Sequence, residues 1–198
     1  MRRSRNFARR LLRRPMRLVG AAIGLALAAV VAWPLWLHAT GNFHAVIPGE
    51  IYRAAQPAPA DLRRWAADHG IRSVLNLRGT HEDADWYREE AATAADLGIV
   101  LADFPLSARQ NPGPDRMAAL IALMRRLPKP LLIHCQGGAD RTGLASALYV
   151  AAIAKAGEQA AERQLSFAFG HVSLPVSSAW AMNEAWEDGE RSLGYPGS

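Results

Sequence analysis

Residues Leu131 to Gly143 read Leu-Leu-Ile-His-Cys-Gln-Gly-Gly-Ala-Asp-Arg-Thr-Gly, and this stretch decides how the rest of the chain is interpreted. A short apolar run, typical of a buried strand, leads into Cys135, which is the only cysteine. Five residues separate Cys135 from Arg141, and a helical pattern follows. Gly137 and Gly138 are free to take positive φ, so the N–H groups of the loop can turn inward around an anion. The stretch therefore predicts a strand, a tight anion-binding loop and a helix.

These residue types suit nucleophilic chemistry on a phosphoryl group. The loop amides, the positive end of a helix starting near Thr142 and the guanidinium of Arg141 all favour a thiolate at Cys135, and the thiolate is the nucleophilic form. Thr142 can donate its hydroxyl to the sulfur, and we expect His134 to orient the loop through hydrogen bonds rather than act as a base. The residues expected to bind substrate are Gln136, Gly137, Gly138, Ala139, Asp140, Arg141 and Thr142.

Outward from this stretch, short apolar runs alternate with helical patterns. Strands are predicted over 72–77, 99–103 and 130–134, and residues 41–49 form a connection or an edge strand. Helices are predicted over 59–69, 83–97, 114–127, 144–156, 158–169 and 176–192, with their Met and Trp stripes in the core. This alternation predicts an α/β domain over residues 43–198 with a mainly parallel central sheet flanked by helices.

Charge and composition limit the partners and cofactors of this domain. The net charge of the chain is +5, but residues 1–17 hold eight arginines and no acid, so the remaining residues carry 15 basic and 18 acidic side chains. A mildly acidic body does not favour nucleic acid as a partner. The single cysteine excludes an internal disulfide, and no Cys/His spacing indicates a metal site. We expect no metal and no cofactor.

The N-terminal region predicts a membrane segment. Residues 18–37 contain no charged side chain and are long enough, as a helix, to span about 30 Å of hydrocarbon. The Arg-rich leader over 1–17 then predicts a single-pass transmembrane or signal-anchor helix, with a cytoplasmic N-terminus and the catalytic domain outside the cytoplasm. A cleaved signal peptide that leads to export is the alternative. A third interpretation is an Arg-rich nucleic-acid arm before a buried helix.

The loop also carries a family resemblance. Residues 134–142 match the pattern HCxxGxxR(S/T) of the cysteine-dependent protein tyrosine and dual-specificity phosphatase superfamily. Residues 51–57, 70–78 and 166–171 are similar to segments of compact bacterial dual-specificity phosphatase-like proteins, so the resemblance covers nearly all of residues 43–198. It implies that fold, and hydrolysis of phosphomonoesters through a phosphocysteine without metal.

The resemblance also implies a carboxylic acid that protonates the leaving oxygen. Asp103 is the first candidate, because it ends a predicted strand, precedes the turn-rich residues 107–114 and lies at a distance from Cys135 that resembles dual-specificity spacing. Asp140, beside the loop arginine, is the rival. Asp115 is a third candidate, at a helix start where a capping role is expected instead.

The composition of the loop indicates the kind of substrate. The loop carries no lysine or second arginine, which favours a substrate with one phosphoryl group: a phosphorylated protein or a small phosphomonoester such as a lipid or sugar monophosphate. Arg78 either reaches the site or forms a structural ion pair, while His81 and His171 are interpreted as packing or surface residues. A phosphate-binding module without turnover and a rhodanese-like sulfurtransferase are the competing classes.

Overall fold

The computed structural model of the protein describes residues 19, 23–25, 28, 30–177 and 179–195. The Arg-rich leader over 1–17 lies outside these residues. The chain divides into two compact units, Met1–Trp36 and Leu37–Ser198.

The predicted membrane segment is not supported. Within the described part of the chain, no helix is both long enough and apolar enough to cross a membrane. The transmembrane helix predicted over 18–37 and the single-pass membrane localisation that depended on it are therefore wrong.

A five-stranded sheet forms the centre of the larger unit, in the order β1-β2-β5-β3-β4. Only β1 and β2 are antiparallel, and the other neighbouring pairs are parallel, so the sheet is mixed but mainly parallel as predicted. The edge strand expected within 41–49 is β1, whereas β2 was not predicted. The strands are β1 His44–Ile47, β2 Ile51–Ala54, β3 Ser73–Asn76, β4 Val100–Asp103 and β5 Leu131–His134.

Helices cover both faces of this sheet. The helices are α1 Pro59–His69, α2 Asp85–Asp96, α3 Gly113–Arg126, α4 Asp140–Leu148, α5 Glu158–Glu162 and α6 Ala181–Ser192. The first matches its prediction, with proline in the first turn and a left-handed Gly70 at the end. The fourth begins before Thr142 and continues as a π-helical turn, Tyr149–Ile153.

The helix predicted over 158–169 is shorter than expected. It ends at Glu162, and a 3₁₀ turn, Phe167–Phe169, follows. The carbonyl oxygens of Gln164 and Phe169 accept hydrogen bonds from Arg53 and Asn42, so side chains from distant segments replace helical partners. The predicted last helix likewise begins later, at Ala181.

Two hydrophobic clusters hold the helices on the sheet. One contains Met117, Met124, Met182 and Trp186, which confirms that the Met and Trp stripes are core. The other packs Leu62 and Trp65 of α1 against Tyr52, Val74 and Leu132 of the sheet. Because β2, β5 and β3 are parallel neighbours, with Ala54 and Asn76 both in register with His134, the loops that follow these strands meet at one edge.

Candidate active site

Cys135 lies immediately after β5, at the carboxyl edge of the sheet. Its side chain is only 3% exposed. The loop over 135–139 connects it to α4, so Arg141 stands in the first turn of that helix. The order of strand, loop and helix that the sequence predicts is therefore observed.

The backbone of this loop is held from outside. Four consecutive carbonyl oxygens, those of residues 136–139, accept hydrogen bonds from three surrounding residues. The backbone N–H of Gln56 reaches the first at 3.2 Å, Asn42 Nδ2 the second at 3.0 Å, and Arg53 Nη2 the third and fourth at 2.9 and 3.2 Å. In a trans peptide the N–H points opposite to the C=O, so the N–H groups of residues 137–140 face the other side of the loop. Successive N–H groups turned to one side are the arrangement found in nests that bind anions.

Gly138 is the residue that allows the loop to pack this closely. Its φ is +71°, and a Cβ there would lie 2.6 Å from both Ala54 C and Ala55 N. Gly137 does not have a positive φ, and a Cβ there would meet nothing within 4 Å. Of the two glycines expected to take positive φ, only Gly138 therefore does so.

Arg141 and Thr142 contribute donors beside the loop. Nη1 of Arg141 donates to the carbonyl oxygens of Leu77 and Leu106, both at 3.3 Å. Arg141 Nε and Thr142 Oγ1 are buried and make no hydrogen bond with any described residue. The predicted hydrogen bond from Thr142 to the sulfur is thus not formed, and both groups keep a donor for another acceptor.

A buried polar chain runs beneath the loop. His134 Nε2 lies 2.7 Å from Glu90 Oε1, an ion-pair distance without the geometry of a hydrogen bond, and both side chains are fully buried. Gln56 Nε2 donates to Glu90 Oε2 at 3.0 Å, and Arg78 Nη1 donates to Gln56 Oε1 at 2.8 Å. His134 therefore contacts a carboxylate rather than the loop backbone.

Arg78 contacts Gln56 and Trp86 and does not form a structural ion pair with any described residue. No described carboxylate lies within ion-pair distance of it, and its guanidinium stacks 3.3 Å from the centre of the Trp86 ring. Burial lowers the pKa of Arg78, the positive charge of Arg141 lowers it further, and Glu90 and Cys135 raise it. This cation comes from the segment that follows β3, so the composition of the loop did not indicate it.

The three acid candidates lie in different surroundings. Asp103 accepts hydrogen bonds from Asn76 Nδ2 at 2.8 Å, Tyr87 Oη at 2.6 Å and Thr80 Oγ1 at 3.3 Å. Burial, and then the hydrogen bond to Asp103, raise the pKa of Tyr87. Asp115 is exposed in the first turn of α3, where the N-terminus of a helix favours negative charge.

Asp140 is bound by a residue that the sequence did not connect with the site. His171 Nδ1 lies 2.7 Å from Asp140 Oδ1, and His171 Nε2 lies 2.9 Å from Asn183 Oδ1. The His171 side chain is buried, so it is neither a surface residue nor a simple packing residue. His81, in contrast, is exposed as expected.

Sequence reasoning missed the residues that support the loop: Asn42, Arg53, Gln56 and Glu90. One signal was available, because Arg53 stands within the short segment Ile51-Tyr-Arg-Ala-Ala. An arginine between apolar residues of a buried strand is rarely found unless the charge has a partner or a purpose.

Carboxylates also converge away from the loop. Ligand atoms of Glu158, Glu162 and Glu190, on α5 and α6, lie within 4.8 Å of one another.

The sequence of this domain matches the model of a known protein family. The model of PTP-SAK, described as Swiss Army Knife protein, DSP-PTPase phosphatase domain, matches residues 40–185. The chain belongs to this family. Its DSP-PTPase domain contains the strand β5, the loop over 135–139 and the helix α4 described above, and the activity class of the protein is that of a phosphatase.

Solved structures share the fold of this DSP-PTPase domain. P. aeruginosa TpbA is 19% identical, with 77% of this chain and 88% of that chain covered and a TM-score of 0.56. The core catalytic domain of the PP-IP phosphatase SIW14 from S. cerevisiae is 20% identical, with the same coverage and TM-score. PTPMT1 in complex with PI(5)P is 13% identical, with 77% and 96% covered and a TM-score of 0.55. No curated protein matches the sequence.

Proposed function

We propose that the protein hydrolyses phosphomonoesters through a phosphocysteine at Cys135, without a metal or a cofactor. The observation that carries this proposal is the loop after Cys135, whose four carbonyl oxygens are bound by surrounding residues, so that its N–H groups face the opposite side. Such a nest stabilises the negative charge of the phosphoryl oxygens as the sulfur attacks.

The proposed reaction has two steps. The Cys135 thiolate forms a bond to phosphorus while the bond from phosphorus to the ester oxygen breaks, and a carboxylic acid gives its proton to that oxygen. Water then attacks the phosphocysteine, the same group accepts a proton from water, and the thiolate leaves. Arg141 and the loop amides hold the phosphoryl oxygens throughout, and the free hydroxyl of Thr142 stabilises the departing sulfur.

Two carboxylates compete for the proton transfer. Asp103 is held in place by three hydrogen-bond donors, which come from Asn76, Thr80 and Tyr87. Asp140 has one oxygen bound to His171 and its other oxygen without a partner among the described residues. Asp103 is our first candidate on sequence grounds, and Asp140 is the structural rival.

The dependence of rate on the leaving group distinguishes these carboxylates. A variant without the general acid loses about 10²- to 10⁴-fold in rate on phenyl phosphate, whose leaving group is basic. It loses far less on 2,4-dinitrophenyl phosphate, whose leaving group needs no proton. The variant among Asp103→Asn and Asp140→Asn that shows this difference identifies the acid. If neither shows it, proton transfer by either carboxylate is excluded.

For the substrate, we propose an aryl phosphate of the phosphotyrosine type. Cys135 is buried, so the phosphorus must enter deeply, and an aryl ester extends further from the backbone than a serine or threonine ester. A structure of a cysteine-to-serine variant of TpbA in complex with pTyr, 18% identical to this chain, is consistent with such a ligand. Lipid or other small phosphomonoesters are the alternative, since PTPMT1 was solved with PI(5)P.

The direct test is hydrolysis of aryl phosphates by the full chain, with and without a chelator, beside Cys135→Ser. We expect activity that resists the chelator and is lost in the serine variant, with tyrosine phosphopeptides preferred to serine phosphopeptides. Activity that persists in Cys135→Ser would contradict the proposal. Binding of phosphate by a folded chain without turnover would instead indicate a phosphate-binding module.

A further inference from the structure

Arg53 is a charged side chain in the interior of the domain. It belongs to β2, next to the central strand β5, and it is completely buried. Moving a guanidinium out of water is costly unless an opposite charge or a full set of acceptors compensates. In the part of the chain that the structure describes, no carboxylate forms an ion pair with Arg53.

The acceptors of Arg53 come from two segments that meet at the nucleophile loop. Nη1 donates to the backbone and side-chain oxygens of Gln164, at 2.7 and 3.1 Å. Nη2 donates to the carbonyl oxygens of Gly138 and Ala139. The guanidinium also lies 3.9 Å from the centre of the Phe169 ring. One rigid fork thus joins the loop to the segment that follows α5.

This geometry fixes the direction of two amides. Because the carbonyl groups of Gly138 and Ala139 point toward Arg53, the N–H groups of Ala139 and Asp140 point the opposite way, into the nest. Both carbonyl oxygens are bound by the single nitrogen Nη2, while the second arm of the fork, Nη1, binds Gln164. A lysine has only one terminal nitrogen and cannot hold the loop and Gln164 together in this way. The position therefore calls for arginine in particular.

The charge of Arg53 also acts toward the site. Burial lowers the pKa of Arg53 to about 9, and Cys135 raises it, so the guanidinium remains charged at neutral pH. A buried cation bound to the loop stabilises an anion held there more strongly than an exposed cation does.

We infer that Arg53 is a positioning residue of the phosphatase site, which directs two loop amides toward the phosphoryl group and balances the negative charge of the thiolate and the bound anion. This inference rests on the proposed function for its role in turnover. Anion binding and thiol reactivity report on it without turnover.

The test compares the full chain with Arg53→Met, Arg53→Lys and the control Arg125→Met. Arg125 lies on α3 and also donates to a backbone carbonyl oxygen, that of Ala152, which is not part of the loop over 135–139. Three quantities are measured: the Kd for inorganic phosphate by calorimetry, kcat and KM on an aryl phosphate, and the rates of Cys135 alkylation by neutral iodoacetamide and anionic iodoacetate. Thermal unfolding checks that each variant is folded.

For Arg53→Met we expect phosphate binding at least about 10-fold weaker and kcat about 10²-fold lower, as for the loss of preorganised donors in an oxyanion site. Alkylation by iodoacetate should slow more than alkylation by iodoacetamide. Arg53→Lys should recover the iodoacetate preference, which depends on charge, but not the phosphate affinity, which depends on the fork. Arg125→Met should match wild type in all three measurements.

Two outcomes would overturn the inference. One is a folded Arg53→Met variant whose phosphate Kd and alkylation rates stay within twofold of wild type. If Arg53→Met does not fold, Arg53→Lys decides, and wild-type phosphate affinity in that variant refutes the role of the fork. A wild-type chain without hydrolysis would contradict the proposed function alone, because phosphate binding and alkylation still test Arg53.

Discussion

Replacing Gly138 by alanine should damage the nucleophile loop far more than replacing its neighbour Gly137. The backbone of Gly138 is left-handed, with φ +71°, which costs a residue with a Cβ about 1–2 kcal/mol. The new Cβ would lie 2.6 Å from backbone atoms of Ala54 and Ala55, and ordinary contact begins at 3.4 Å. The loop must therefore move by about 0.8 Å, away from β2.

That movement separates the Gly138 carbonyl from Arg53 and turns the next N–H away from the nest. We expect Gly138→Ala to lose about 2–4 kcal/mol of unfolding free energy, the sum of backbone strain and a weakened hydrogen bond. A misplacement near 1 Å in a catalytic site costs about 10²-fold, so kcat/KM on an aryl phosphate should fall by about that factor.

The assay pairs urea unfolding with steady-state hydrolysis of an aryl phosphate. Gly137→Ala is the matched control for stability, because its Cβ meets nothing within 4 Å, and its unfolding free energy should stay within about 0.5 kcal/mol of wild type. Equal unfolding free energies and equal kcat/KM values for the two variants would refute this account of the loop.

Two further predictions concern buried polar groups. Glu90→Gln replaces the carboxylate that faces His134 by an amide of the same shape, so urea unfolding should show an unfolding free energy lower by about 1–3 kcal/mol. The control Glu89→Gln, at an exposed position, should change the unfolding free energy little, and equal effects of the two variants would contradict the role of the buried pair. Tyr149 donates to Glu50 Oε1 at 2.6 Å, and burial together with Glu50 raises the pKa of Tyr149. The protonated Tyr149 therefore stabilises the folded state fully below about pH 10, the pKa of an unfolded tyrosine, and this contribution is lost as the pH rises through the folded-state pKa. Tyr149→Phe should lower the unfolding free energy by about 1.5 kcal/mol at pH 8. Between pH 8 and pH 11 the unfolding free energy of this variant should fall less than that of wild type, and an identical pH dependence would contradict the role of the Tyr149–Glu50 hydrogen bond.

The sequence was sufficient for the parts of the fold that depend on local pattern. The strands β3 and β5 are buried along their whole length, as expected where helices cover both faces of a parallel sheet, and α1 carries its own start and stop residues. The strand β2 was missed because Arg53 interrupts its apolar pattern. The segment 158–169 reads as one helix, but contacts from Asn42 and Arg53 bind its carbonyl oxygens and end the helix early.

Charge patterning misled the interpretation of the N-terminal region. An uncharged stretch such as 18–37 is necessary for a membrane span, but the lack of charge does not by itself specify one. No described helix is long and apolar enough to cross a membrane.

The chemistry of the site was predictable only where it is contiguous in sequence. Cys135, Arg141 and the glycines follow from one loop, whereas the residues that hold this loop come from the segments around 42, 53, 56 and 164. Their convergence depends on the register of β2 beside β5, which no local pattern specifies. The same holds for His171, which reaches Asp140 from the segment after the 3₁₀ turn.

The central claim is that a phosphoryl group becomes attached to the sulfur of Cys135. We would mix the full chain with an aryl phosphate, quench it in acid within one turnover, and locate the added phosphoryl group by peptide mass spectrometry. We expect a phosphoryl group on the peptide that contains Cys135, and none in Cys135→Ser. A phosphoryl group on a histidine or aspartate, or turnover without any covalent intermediate, would contradict the account.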